Sequence, residues 1–365
     1  MAGEVYDALF GLGLAGLLAR ASTAPPTLEP PHSRARIEAF IASEMKAWGA
    51  RHAQVIQDLA ALGSRLRYYG KAVVAVEAGM ADMRFVEAMR KLPVPDEFAA
   101  DPELRETYLA SLEQALDARK QRGRDAALVG LGSLATIGVI RDERVERARS
   151  LLSRMYGGSP IDALDGLRLP PLTPHEPTTS EQRLAARLPV FYSGVLFPAG
   201  AGSDPTMLRS FAEKGISLPH RIGLAQATLP PAVRLLYARS RFELGQNYWR
   251  RVDFDETVRL LKDSGGDSEE GKLLLALALA LRGGPENAAD MMVRAPLGDL
   301  GIGRVAALES LIDSGGWLGG SAAFDAALIR QLAAPASADA AYWFAVAAGF
   351  RKAAEVLVDL QDKRD

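Results

Sequence analysis

The chain has no cysteine, which excludes disulfides, thiolate metal sites, iron–sulfur ligation and a thiol nucleophile together. Histidine is scarce as well. His32, His52, His175 and His220 stand alone, with no two at the i,i+4 spacing of a zinc-binding helix, so no metal and no small-molecule cofactor is expected. Neither sign of charge predominates: 43 basic residues face 45 acidic ones, for a net charge of −2. Such a chain has no summed field to hold a phosphate backbone, and nucleic acid is excluded as an expected partner.

Long apolar runs are missing too. The stretch from Val5 to Ala19 is apolar but contains Asp7 and falls short of the ~20 residues that span a bilayer. Its first charges are Glu4 and Asp7, where a secretory signal would start basic. The expectation is an amphipathic first helix packed on the body, with membrane association only through a partner or a lipid anchor. Alternating apolar–polar runs joined by hairpin dipeptides are not found. The best strand candidate, Pro189 to Phe197, stands isolated and reads as an irregular connection or a short helix. No Gly-x-Ser-x-Gly elbow, Walker loop or paired acidic metal motif occurs.

Gly-x-Gly-x-x-Gly does occur at Gly11, Gly13 and Gly16, with near matches at Gly130-x-Gly132-x-x-Ala135 and Gly301-x-Gly303-x-x-Ala306. A dinucleotide site needs a strand before this motif, and these segments have helical patterns. Close helix packing is the expected role of these glycines.

What is present is helical periodicity punctuated by proline. Pro25, Pro26, Pro30 and Pro31 mark a linker, and Pro170, Pro171, Pro174 and Pro177 mark a second connection. Between them, Ser33 is placed to cap a helix carrying Ile37, Phe40, Ile41, Met45 and Trp48 on one face. Asp101-Pro102 opens another, with Leu104, Tyr108, Leu112 and Leu116. Asp204-Pro205 repeats that signal. Arg141 to Met155 puts Val145, Ala148, Leu152 and Met155 on one face and its arginines on a solvated one.

From Pro231 the pattern changes. Leu244-Gly245-Gln246-Asn247-Tyr248, followed by Asp253-Phe254-Asp255-Glu256-Thr257 and Leu260-Leu261, resembles a tetratricopeptide (TPR) repeat. A second copy places Ala276, Leu279, Gly283, Ala288 and Ala295 at the corresponding positions. Small residues at Thr257, Ala288, Ala322 and Ala353 follow a spacing near the family's ~34-residue period. The fold class expected is therefore all-α: a TPR-like α-solenoid with an additional N-terminal helical region. The chain divides into an apolar helix and linker (1–32), a helical region (33–167), a proline-rich connection (168–230) and the repeats (231–365).

The resemblance implies that the concave face binds an extended peptide or a partner helix. It maps partner contacts to Arg239, Phe242, Gln246, Trp249 and Arg250 in the first copy, and to Glu270, Leu273, Leu277, Ala280 and Leu281 in the second. The second set lies on Gly271 to Arg282, a helix apolar around its whole circumference, which predicts burial on all sides. Arg250-Arg251 suits either an acidic peptide or a solvated pair beside Asp253 and Asp255. The function expected is a non-catalytic protein–protein interaction scaffold in a multi-protein assembly of the bacterial cell envelope, with the periplasm favoured over the cytoplasm. The alternative is a helical enzyme acting on cell-wall glycan or lipid through paired carboxylates.

Overall fold

The computed structural model describes residues 2–156, 162–170, 178–180, 183, 231–262, 267–284, 286 and 305–333. These residues are helical, with no strand among them, as expected of an all-α chain. Packing divides the chain into two compact units. One comprises Met1–Ile137 and Glu143–Leu151, the other Gly138–Asp142 and Leu152–Asp365.

In the first unit, α1 (Ala2–Ala21), α2 (Arg34–Phe40), α3 (Lys46–Ser64), α4 (Tyr68–Arg90), α5 (Asp96–Ala99) and α6 (Pro102–Ile137) follow one another, and a π-helical turn at Ile41–Met45 joins α2 to α3. Helix α4 is central, packing against α1, α3 and α6. Its sequence explains this: Val73, Val74, Val76, Met80, Met83 and Val86 are buried at positions that cover more than one face. The partners approach through glycine. Gly11 of α1 meets the backbone of Gly70, and a Cβ on Gly79 would stand 2.9 Å from Cα of Ala127 on α6. A Cβ on Gly130 would stand 2.6 Å from the Val76 backbone nitrogen. Gly11 and Gly130 of the glycine motifs thus serve close packing, whereas Gly13, Gly16 and Gly132 face open space. Gly301 and Gly303 lie outside the described residues.

Helix starts follow the sequence signals unevenly. Asp101 caps α6 as expected, its Oδ1 accepting from the backbone N–H of Glu103 (3.0 Å) and Leu104 (3.2 Å). Ser33 stands at the N-cap position of α2 but makes no capping bond with its side chain. Helix α7 (Glu143–Met155) buries Val145, Ala148, Leu152 and Met155. Arg149 is buried as well, so the arginines of α7 are not uniformly the solvated face that their alternation with acids suggested.

The described helices of the second unit are α8 (Pro231–Tyr248), α9 (Arg251–Lys262), α10 (Glu269–Leu281), α11 (Ala306–Glu309) and α12 (Gly316–Ala333), with a 3₁₀ turn at Asp162–Gly166. Helices α8 and α9 are joined by only Trp249 and Arg250 and pack on each other. Helix α10 packs on α9, α8 and α12. Its Gly271, Leu273, Leu274, Ala276, Leu277, Ala278, Ala280 and Leu281 are buried, in keeping with its all-round apolar sequence. The strand candidate Pro189 to Phe197, the Asp204-Pro205 signal, Ala288, Ala295 and Ala353 lie outside the described residues.

Candidate functional site: the polar face of the first helix pair

Helix α8 carries two rows of side chains with different tasks. Phe242, Gly245 and Trp249 form one row, at i, i+3 and i+7, facing α9 and the turn. A Cβ on Gly245 would stand 2.8 Å from the Phe254 ring, so glycine lets that ring close against the helix backbone. Phe242 and Trp249 each meet Phe254 edge to face, at centroid distances of 5.5 and 5.6 Å. Both are wholly buried. Thr257 of α9 lies against α8 as well, its hydroxyl shared between the Asp253 carbonyl of its own helix at 2.8 Å and the Ala238 carbonyl at 3.2 Å.

Trp249 ends α8 in the left-handed region, with φ +43°. The Arg250 N–H donates to the Gly245 carbonyl at 3.2 Å, which makes this a Schellman-type ending with tryptophan where glycine is usual. A non-glycine residue there costs on the order of 1–2 kcal/mol. Burial of the indole between Phe254 and Gly284 offsets that strain.

The second row is polar. Arg239, Glu243 and Gln246, at i, i+4 and i+7, are buried. Arg239 donates to Glu243 (3.0 Å), to Glu270 of α10 (3.5 Å) and to the main-chain carbonyl of Pro170. Gln246 donates to the Leu164 carbonyl. The neighbouring Asn247 and Tyr248 donate to the carbonyls of Ile140 and Val139. Four side chains of one helix thus end on main-chain oxygens of other segments of the same unit. The 162–170 segment is also held from α12, where Asp325 accepts from the Arg168 N–H at 2.7 Å and the Arg168 guanidinium lies over Phe324. Burial pushes the Asp325 carboxyl up to about 8.

Of the five mapped contact residues, the structure brings Arg239 and Gln246 together on the polar row, places Phe242 and Trp249 in the interior of the α8–α9 pair, and leaves Arg250 partly exposed. Arg250 is paired within the chain, 3.0 Å from Asp253, which Arg241 also holds at 2.6 Å. Burial pushes the Asp253 carboxyl up, and the two arginines offset only part of that rise. The sequence reading did not single out Asn247 and Tyr248 as donors. Their signal was the Gln-Asn-Tyr run itself, but their acceptors are remote carbonyls that no side-chain pattern reveals.

A second polar cluster, in the first unit, was not anticipated. Asp82 of α4 is buried and accepts from Arg119 (2.9 Å) and from Arg122 (2.7 and 2.9 Å) of α6. Burial raises its proton affinity, but the two guanidinium groups outweigh that and hold the carboxyl below its ordinary value. Arg119 also lies 3.5 Å from the Phe85 ring centroid and donates to His52 Nδ1 at 2.8 Å. Accepting at Nδ1 makes His52 the neutral tautomer with its proton on Nε2. Burial, and then the Arg119 charge, hold the imidazole down to about 4. The available sequence signal was a pair of acids, Glu77 and Asp82, inside the otherwise apolar run Ala72 to Met83, with two arginines at i,i+3 on α6.

Among the described residues no group of histidines and carboxylates could hold a metal ion, and no helix is long and apolar enough to cross a membrane. No family model, no curated protein and no solved structure matches this chain.

Proposed function

We propose that this chain is a non-catalytic interaction scaffold in which TPR-like helix pairs of the second unit hold a protein partner. The observation that carries the reading is the polar row of α8: Arg239 and Gln246 donate to main-chain carbonyls of the 162–170 segment, at Pro170 and, in the 3₁₀ turn, at Leu164. Side-chain donors in one line along a helix suit main-chain oxygens of any sequence, and a peptide is the ligand class implied by the resemblance. Gly245 against Phe254, with Thr257 bonded to Ala238, supports assigning α8 and α9 to a repeat-like pair. The carboxylates Asp82, Glu243 and Asp253 are all engaged by arginines, which supports structural roles for them over acid–base chemistry. The setting in this proposal, a multi-protein assembly at a bacterial cell envelope, rests on composition alone: many alanines, glycines and arginines, and no cysteine.

Lys262 at the end of α9 and Lys272 on α10 are exposed and border the pair. Cross-linking with mass spectrometry, on the protein captured from its native cells at low expression, tests the proposal. Reproducible links from one or two other proteins to Lys262 or Lys272 are expected. Recovery of the chain alone, with intramolecular links only, overturns the scaffold reading.

A further inference from the structure

Helix α1 buries one side against α3 and α4 and leaves the other side apolar and uncovered. Ala8, Leu14, Ala15 and Leu18 are buried. On the opposite side Tyr6 is 66%, Leu9 54%, Phe10 41% and Leu17 44% exposed. Four large apolar side chains in one row of a 20-residue helix form a patch of the kind that soluble proteins reserve for interaction. Gly13 and Gly16 interrupt the row, and a Cβ at either would meet nothing within 4 Å. The row is therefore a set of knobs with a hollow in its middle.

We propose that α1 is the surface through which two copies of this chain pair, antiparallel, about a twofold axis at Gly13. The order of residues is what selects a second copy. Reversed about position 13, the row maps onto itself: Leu9 meets Leu17 of the other copy, Phe10 meets the hollow at Gly16, and Gly13 meets Gly13. A twofold interface requires this self-complementarity, since one patch supplies both sides. Charge fixes the direction. Arg20, in the last turn, is the charged residue of the row, and antiparallel pairing sets it over the Tyr6 ring of the other copy, an attractive cation–π contact. Parallel pairing would set Arg20 against Arg20. A bilayer suits the row less well, because an interfacial helix carries several flanking cations, whereas α1 has one arginine together with Glu4 and Asp7. This pairing is independent of the scaffold reading, which concerns the other unit.

Sedimentation equilibrium on the full chain is expected to give the mass of a dimer. Gly13→Leu fills a position that is open within one chain. It is expected to leave helix content and melting unchanged or improved, while weakening self-association roughly tenfold or more. The absence of native cysteine permits a register test. Under mild oxidant, Gly13→Cys is expected to form a disulfide-linked dimer. Arg20→Cys alone should not, because an antiparallel pair holds its two copies ~21 Å apart along the axis, beyond disulfide reach. A mixture of Tyr6→Cys and Arg20→Cys chains is expected to form the mixed disulfide. A monomer mass at every concentration, or Arg20→Cys linking as fast as Gly13→Cys, overturns the proposal. Capture by phosphatidylglycerol–phosphatidylcholine vesicles in place of self-association also overturns it and assigns the face to a membrane surface.

Discussion

His52 shows how a single side chain ties the stability of the first unit to pH. Its imidazole is buried beside Trp48 and Phe85 and accepts from Arg119, so the native state keeps it neutral and lowers it from 6.5 to about 4. The unfolded chain binds a proton below 6.5 that the folded chain refuses until about 4. Between these values the unfolded state carries more protons, and stability rises with pH. The contribution is complete above pH 6.5 and is lost progressively as pH falls toward 4. From pH 7 to pH 5 the loss from this residue amounts to about 2 kcal/mol. Urea unfolding of the first unit should show it as a lower midpoint at pH 5. His52→Gln, which has an acceptor but no charge to refuse, is expected to flatten that difference. A variant with the same pH dependence as the parent would mean that another group carries it.

Among the elements, the glycines of α4 and α6 separate packing from propensity. Gly79 and Gly132 are both helical glycines, and sequence alone gives no means of ranking them. A methyl on Gly79 would press on the backbone of Gly123 and Ala127, whereas one on Gly132 meets nothing. Gly79→Ala is therefore expected to destabilise by about 1–3 kcal/mol through forced separation of α4 and α6. Gly132→Ala should be neutral, or stabilising by up to about 1 kcal/mol, through helix propensity. Thermal unfolding of the two variants side by side checks the contrast. The helices themselves were legible because apolar spacing and the Asp101-Pro102 cap are local signals. The α8–α9 pair was legible because Leu244-Gly245 and Asp253-Phe254 encode a close approach in adjacent segments. The bonds from Arg239, Gln246, Asn247 and Tyr248 to remote carbonyls were not, since a backbone oxygen is present at every position and leaves no mark in the sequence. Asp82 with Arg119 and Arg122 was hidden for a related reason: the acid is on α4 and both arginines are on α6, and only tertiary packing sets the register of the two helices.

For the whole molecule, each unit has its own apolar interior and its own buried ion cluster, Asp82 with two arginines in one and Asp253 with two in the other. Pro25, Pro26, Pro30 and Pro31 lie between α1 and α2, and Pro170 lies inside the second unit, bonded through its carbonyl to α8. Proline thus reports local chain direction, while the division of packing depends on which faces find partners. If the two interiors are energetically separate, calorimetry should resolve two transitions, and a substitution in one unit should move only one of them. Asp82→Ala strands the Arg119 guanidinium, which is mostly buried, and is expected to remove about 3 kcal/mol and lower one transition by roughly 5–10 °C. Gly245→Val, whose Cβ would enter the Phe254 ring, is expected to lower the other. A single transition that both variants lower equally would mean that the chain unfolds as one cooperative body. Stability of the first unit, including its dependence on His52, would then be transmitted directly to the helix pair proposed to hold the partner.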